Sequence, residues 1–471
     1  MIEGLKPYEK YRAVDLPWLD SLPDKWQVRR GRGVFECVDV RSKTGSEELL
    51  SVSAKDGVRP RSEKAVTMFQ ANSYVGHKLA WPGDLVINSL WAWMKGLGFS
   101  KYHGIVSTAY GVYRPRPEHC EGWRYFNYLF RSNAYDWELQ VRSKGIWISR
   151  MQLTDWSFLD MPVVIPPIDE QAAIVKFLDH ANWKIDKFIR AKRKLIALLE
   201  EQKQAIIHRA VTRGLDLNVP LKPSGIPWLG DIPAHWETIT VGAGTSLIQT
   251  GPFGSQLHSH EYFRGGIPII NPSHMDGGRI IADPDVAVSE TKGKELLRHS
   301  LRLGDIVAAR RGELGRCALV TDIEVGWLCG TGSLLIRCKP DVFFPGYFQE
   351  VLSSQGVAEL LKLLSVGATM DNLNAGMVSR LRFSLPPINE QSKILDFISA
   401  ERDKNRAAIS TTEREIALMQ EYRTRLTADI VTGKLDVREA AVHLPDLSIE
   451  TNSSPDPAEL EEESELEEIE S

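Results

Sequence analysis

Two stretches of the chain carry apolar residues at steps of three, four and seven. In the first, Ile174, Leu178, Ile185, Ile189, Ile196, Leu199, Ile206 and Ala210 form such a stripe; in the second, Ile394, Ile398, Asn405, Ile409, Ile416, Met419, Leu426 and Ile430 keep the same frame. Each stretch opens on a Pro-Pro pair, at Pro166 and Pro386, and then meets neither glycine nor proline until Gly214 and Gly433. Proline at the start and glycine past the end are the punctuation of a helix. The pattern predicts two helices of about 46 residues, each roughly 70 Å long, far beyond the ordinary globular helix. Two stripes in one register bury each other most directly as an antiparallel coiled coil. The alternative is two separate helices, each packed on its own globule, but a 70 Å helix overhangs a globule of about 150 residues, whose radius of gyration is about 15 Å.

The helical stretches are copies of one another. PPIDEQAAIVKFLDH from Pro166 matches PPINEQSKILDFISA from Pro386, and the offset of 220 holds without a gap through Asp216 and Asp436. A second pair precedes each globule, LPWLDSLPDKW around Trp18 and IPWLGDIPAHW around Trp228, and within the globules GDLV at Gly83 answers GDIV at Gly304. A duplication at this spacing constrains architecture before any motif is interpreted. Between the helices, alternating or continuously apolar runs such as GDLVINSLW, GIVSTAYGVYRP, GDIVAARRG and GSLLIRC lie between glycine and proline turns, the mark of short strands. The expected fold is α+β, with two pseudo-repeated α/β recognition domains separated by two long helices that form an antiparallel coiled coil and place the globules at opposite ends of a rod. The expected boundaries are 1–165 for the first globule, 166–219 for the first helix, 220–385 for the second globule, 386–438 for the second helix and 439–471 for a tail.

Charge divides the chain further. The formal net charge is -5, from 57 basic and 62 acidic residues, but no Lys or Arg follows Arg438 while twelve of the acidic residues do. Without the tail, 57 basic face 50 acidic residues. A basic body suits a polyanionic partner, and the acidic tail is expected to be disordered. No apolar run reaches the roughly 18 residues of a membrane span, and the opening MIEGLKPYEKYR lacks the apolar core of a signal peptide. The expected location is cytoplasmic. Five scattered cysteines (Cys37, Cys120, Cys317, Cys329, Cys338) make no framework of bridges and are expected to be reduced.

Catalytic motifs are missing. The sequence holds no GxxxxGK[ST] loop and no GxGxxG. The Pro-Pro pairs are flanked by Ile165, Leu385, Ile168 and Ile388, so they lack the amide and the ring with which an amino-methyltransferase grips an exocyclic amine. His258, His260 and His274 and the later cysteines follow no metal-ligand spacing. No catalytic residue, cofactor site or metal site is expected in this chain. What remains is binding chemistry. Trp91, Trp93, Lys95, Lys101, Tyr102, His103, Tyr110, Arg114 and Arg116 mix rings and cations between glycines, a composition that meets phosphates and base edges, although any one of these rings fits a core position as well. In AARRGELGR, Arg310, Arg311 and Arg316 flank two glycines; they suit a DNA groove or a solvated turn. TGPFGSQL at Thr250 is a glycine loop whose amides suit a phosphate or a plain turn.

These strings together resemble the specificity subunits (HsdS) of Type I restriction-modification systems. The resemblance spans about residues 8–438 and rests on the two P-W-L-x-x-x-P-x-x-W segments, GPFGSQL, GDIV-x-x-R-R-G-x-x-G, GDLVIN, GIVSTAYGVYRP and both PP-I-x-EQ openings. It implies a non-catalytic, sequence-specific DNA-binding subunit that serves phage defence. Each globule would be a target recognition domain reading one half of a bipartite double-stranded DNA target, and the helices would be spacers setting the gap. DNA methylation at adenine with S-adenosylmethionine would belong to two partner modification subunits, and ATP- and Mg-dependent translocation and cleavage to a restriction subunit. The acidic tail is not part of the shared pattern. The alternatives are the specificity half of a fused restriction-modification enzyme and a coiled-coil adaptor protein.

Overall fold

A computed structural model describes residues 5–63, 73–145, 151–365 and 373–445; the expected disordered tail from residue 446 onward lies outside them. The chain forms two compact units, one from residues 1–192 and 414–471, the other from residues 193–413. Each unit takes its globule together with one half of each long helix, so the first unit is completed by residues from the far end of the sequence.

Within the first unit, Phe35–Cys37, Gly111–Pro115, Leu85–Ile87 and Leu97–Phe99 lie side by side in that order as an antiparallel sheet. Leu85, Val86 and Ile87 are all buried, which is why GDLVIN reads as a continuous apolar run rather than an alternation. In the second unit Thr245–Thr250, Ser333–Cys338, Ile306–Ala309 and Cys317–Leu319 lie in the same order and again antiparallel. One four-stranded plan has been built twice. The strand that leads into each globule also pairs with the strand that leads out: Gln27–Arg30 with Pro162–Ile165, and Glu237–Thr240 with Arg382–Leu385. The second unit adds a three-stranded sheet in which Ile267–Ile270 pairs parallel with Leu328–Cys329 and antiparallel with Ala287–Val288.

The long helices run over Ile168–Arg213 and Ile388–Val431. Each begins directly after its Pro-Pro pair, and each ends at a glycine in the left-handed region, Gly214 at φ 74° and Gly433 at φ 75°, where a side chain is disfavoured. In the first unit Ile174, Leu178 and Ala181 share a core with Leu426, Ile430 and Val431. There Asp186 pairs with Arg423, and Lys192 pairs with Glu415 at 2.6 Å; one residue number rises as the other falls, so the helices pack antiparallel. In the second unit Ile207, Ala210 and Val211 share a core with Ile394 and Ile398. Midway along, Ile196, Leu199, Ile409, Ile416 and Met419 are half-buried.

The EQ of each Pro-Pro opening explains the repeated tryptophans. Glu170 accepts hydrogen bonds from Trp26 Nε1 at 2.8 Å and from the Tyr8 hydroxyl at 3.2 Å. Glu390 accepts from Trp236 Nε1 at 3.1 Å and faces His235 Nε2 at 2.9 Å. Gln171 and Gln391 return their amides to the carbonyls of Pro166 and Pro386. Beyond the second long helix, Arg438–Val442 is a further short helix, with Ala441 buried in the core of the first unit. The first residues of the acidic segment are therefore packed helix rather than tail.

Candidate nucleic-acid interface

Each four-stranded sheet is locked at one end by the same fork. Asp84, which follows Gly83 of GDLV, is 1% exposed and accepts from Arg114 Nε and Arg114 Nη2, both at 2.8 Å. Asp305 of GDIV is likewise 1% exposed and accepts from Arg337 Nε and Nη2, both at 2.7 Å. A second set of donors, the amides of Trp81 and Arg302, completes the two carboxylates at 2.9 and 2.7 Å. A buried carboxylate is tolerable only when it is paired and bonded in this way.

Opposite the fork, the same pair of strands in each sheet turns through a hairpin. In the first unit it connects Leu85–Ile87 to Leu97–Phe99 and carries Trp91 and Trp93, whose rings stack with centroids 6.2 Å apart and planes 16° apart. Trp93 Nε1 donates to the Leu90 carbonyl. Lys95 sits at φ 63°, and among the described residues it is the one non-glycine with positive φ; its ammonium bonds Asn133 and lies 2.9 Å from Asp136. Asn88, at the root of this hairpin, donates to the Tyr110 hydroxyl. The tip exposes Leu90, Trp91 and Met94, at 43%, 38% and 44%.

In the second unit the equivalent hairpin connects Ile306–Ala309 to Cys317–Leu319 and carries Arg310, Arg311 and Arg316. Arg311 is exposed, whereas Arg310 is half-buried and its Nε, out of contact with solvent, has no hydrogen-bond partner among the described residues. Burial, and then the adjacent Arg311, lower its pKa. Arg316 is occupied by Glu313 and reaches the Pro272 carbonyl at 3.5 Å. Two backbone segments close around this hairpin: the Arg310 amide donates to Gly332 O, and the Gly251 amide of TGPFGSQL donates to Ser333 O. The Gly251 amide is thus not available to a phosphate, while the neighbouring Phe253 is 56% exposed.

Ten of the twelve residues singled out in the sequence separate into groups. Trp91, Trp93, Lys95, Arg310, Arg311 and Arg316 lie on the two equivalent hairpins, and Tyr110 buttresses the first. Tyr102 and Tyr110 pack against the apolar cluster around Val86 and Val112. Arg114 lies at the fork end, its guanidinium held by Asp84 and 5.2 Å from the Trp81 ring; its fork is spent within the fold. Lys101 is exposed at that same end, on a cleft it shares with Glu36, Pro82 and Arg114. Phe253 and the exposed tip residues Leu90 and Met94 are the additions that the structure makes. All five cysteines are free, with Cys317, Cys329 and Cys338 buried. Among the described residues no cluster of His, Cys, Asp or Glu is arranged to hold a metal ion, and no helix is long and apolar enough to cross a membrane.

One sheet built twice, with a differently equipped hairpin at the same place in each copy and long helices running through both units, defines a tandem duplication of one α+β plan. Comparison with known proteins shows what it is similar to. Residues 249–416 match the Type I restriction modification DNA specificity domain. The Type I restriction enzyme MjaVIII specificity subunit of Methanocaldococcus jannaschii is 24% identical over 314 residues, 64% of this chain and 68% of that one. The EcoKI specificity subunit of Escherichia coli K12 is 22% identical over 349 residues, 69% of this chain and 71% of that one. A solved structure described as "Structural basis underlying complex assembly and conformational transition of the type I R-M system" shares the fold, with a TM-score of 0.63 and 17% identity over 88% of this chain and 99% of its own. Residues 249–416 thus carry the Type I restriction modification DNA specificity domain, and the chain is similar over about two thirds of its length to specificity subunits of Type I restriction enzymes.

Proposed function

We infer that this chain is the DNA-recognition subunit of a Type I restriction-modification complex, that each unit reads one half of a two-part duplex target, and that the chemistry on DNA is done by partners. Adenine methylation from S-adenosylmethionine falls to two modification subunits, and ATP- and Mg-dependent translocation and cleavage to a restriction subunit. The observation that carries the DNA reading is Arg310. A buried guanidinium nitrogen without an acceptor is costly, and the side chain stands beside a second arginine on an exposed hairpin; the acceptors of a nucleic acid satisfy both.

The test is Arg310→Ala in the full-length chain, with binding to duplex DNA followed by fluorescence anisotropy across a salt series. If Arg310 meets a base edge, affinity for the preferred sequence falls by about 1–3 kcal/mol while other sequences change little. If it meets a phosphate, all sequences weaken alike and the slope of log K against log salt flattens by about one unit. Unchanged affinity together with an unchanged slope contradicts the assignment of this hairpin to DNA.

A further inference from the structure

The two hairpins occupy one topological position and carry opposite chemistries, and this difference bears on which bases are read. The assignment rests on the reading of the chain as a tandem DNA reader. In the second unit the hairpin offers guanidinium groups, Arg310, whose Nε has no hydrogen-bond partner among the described residues, and Arg311 exposed beside it. In the first unit the exposed tip is Leu90, Trp91 and Met94. The cation of this hairpin, Lys95, is turned back and bonded to Asn133 and Asp136. Trp93 has spent its indole N–H on Leu90.

Base edges differ in what they tolerate. Guanine presents two acceptors in the major groove, O6 and N7, which an arginine fork takes together, whereas thymine alone presents an apolar group, its C5 methyl. An apolar tip pressed on a polar edge strips water from it without replacing the hydrogen bonds, which is unfavourable; against a thymine methyl the same tip gains buried apolar area. We propose that the half-site read by the first unit contains thymine, contacted through its methyl by the Leu90, Trp91 and Met94 tip, and that the half-site read by the second unit contains guanine, contacted by Arg310 and Arg311. Lys95 is then a positioning residue: its ammonium ties the hairpin to Asn133 and Asp136 and leaves the stacked indoles facing outward.

The experiment uses the full-length chain in the complex in which it is purified and a duplex carrying its target, located beforehand by mapping methylated adenines. Uracil replaces each thymine in turn, and 7-deazaguanine replaces each guanine. Loss of one contacted methyl weakens binding by about fourfold, the equivalent of one buried methyl group; loss of a contacted N7 weakens it by about fivefold or more. The uracil effect falls in one half-site and disappears in Trp91→Ala, and the 7-deazaguanine effect falls in the other and disappears in Arg310→Ala/Arg311→Ala. Wild-type binding indifferent to uracil in both halves overturns the assignment, as does a uracil effect that survives in Trp91→Ala or a 7-deazaguanine effect in the half that Trp91 governs. A complex with no preferred sequence removes the underlying reading as well, which distinguishes the two failures.

Discussion

Arg114, with its counterpart Arg337, shows how a residue type alone misleads. Both follow a β-branched or aromatic run in the sequence, and Arg114 stands among tryptophans and tyrosines, which made it a candidate for DNA. Each instead neutralises a carboxylate that is almost fully buried. Arg114→Ala leaves Asp84 buried without a counter-charge, and the expected loss in urea unfolding is about 2–3 kcal/mol, less than for a fully enclosed pair because the Arg114 side chain is 42% exposed. The same variant keeps the wild-type base preference and salt slope; a change of base preference without loss of stability would return Arg114 to the interface. The signal was present in the repeat: GD-L/I-V is followed by an arginine 30 residues after Asp84 and 32 after Asp305, a spacing with no helical or strand period, so only the shared sheet order reveals its meaning. Lys95 was hidden differently, since its left-handed backbone and its partners 38 and 41 residues away leave no local mark.

The long helices were legible because their signals are local and repeated: an apolar stripe, Pro-Pro at the start, glycine at the end. Why the openings carry EQ was not, since the partners of Glu170 and Glu390 are the tryptophans of segments 144 and 154 residues away. The helix ends lock onto the same tryptophans. A Cβ on Gly433 would lie 2.6 Å from Pro23 Cδ and 3.2 Å from Trp26 Cζ3, at φ 75°, whereas one on Gly225, at φ 70°, would meet nothing. Left-handed backbone alone costs an alanine about 1–2 kcal/mol. Gly225→Ala is therefore expected to lose about that much in urea unfolding, and Gly433→Ala clearly more, because proline and backbone must also shift. Equal losses would show that the Gly433 contact is not tight. The short strands were readable as apolar runs, but their order was not: outside the hairpins, pairing in the two four-stranded sheets spans 24 to 93 residues and depends on the whole unit, and the sequence offered only the pairing of GDLV with GDIV as a clue that the two sheets match.

At the scale of the molecule, the duplication dominates. Its offset of 220 was visible in the helices, and the same four-stranded order recurs in globules whose strands share little beyond GD and a terminal arginine. The first unit closes only with residues from beyond 413, and Lys6 bridges to Asp436 there, an arrangement that no linear reading of domain boundaries captures. Charge was informative for the body and less so for the acidic segment, whose first turn is helix with Ala441 in the core. The central claim is that two copies of one reader address two separate parts of one DNA target. Its most direct test is a genome-wide map of methylated adenines in cells that express the partner subunits with wild-type chain, with Arg310→Ala or with Trp91→Ala. The account predicts a motif of two defined parts with undefined bases between them, relaxed by Arg310→Ala in one part alone and by Trp91→Ala in the other alone. A single continuous motif, or relaxation of the same part by both variants, would contradict it.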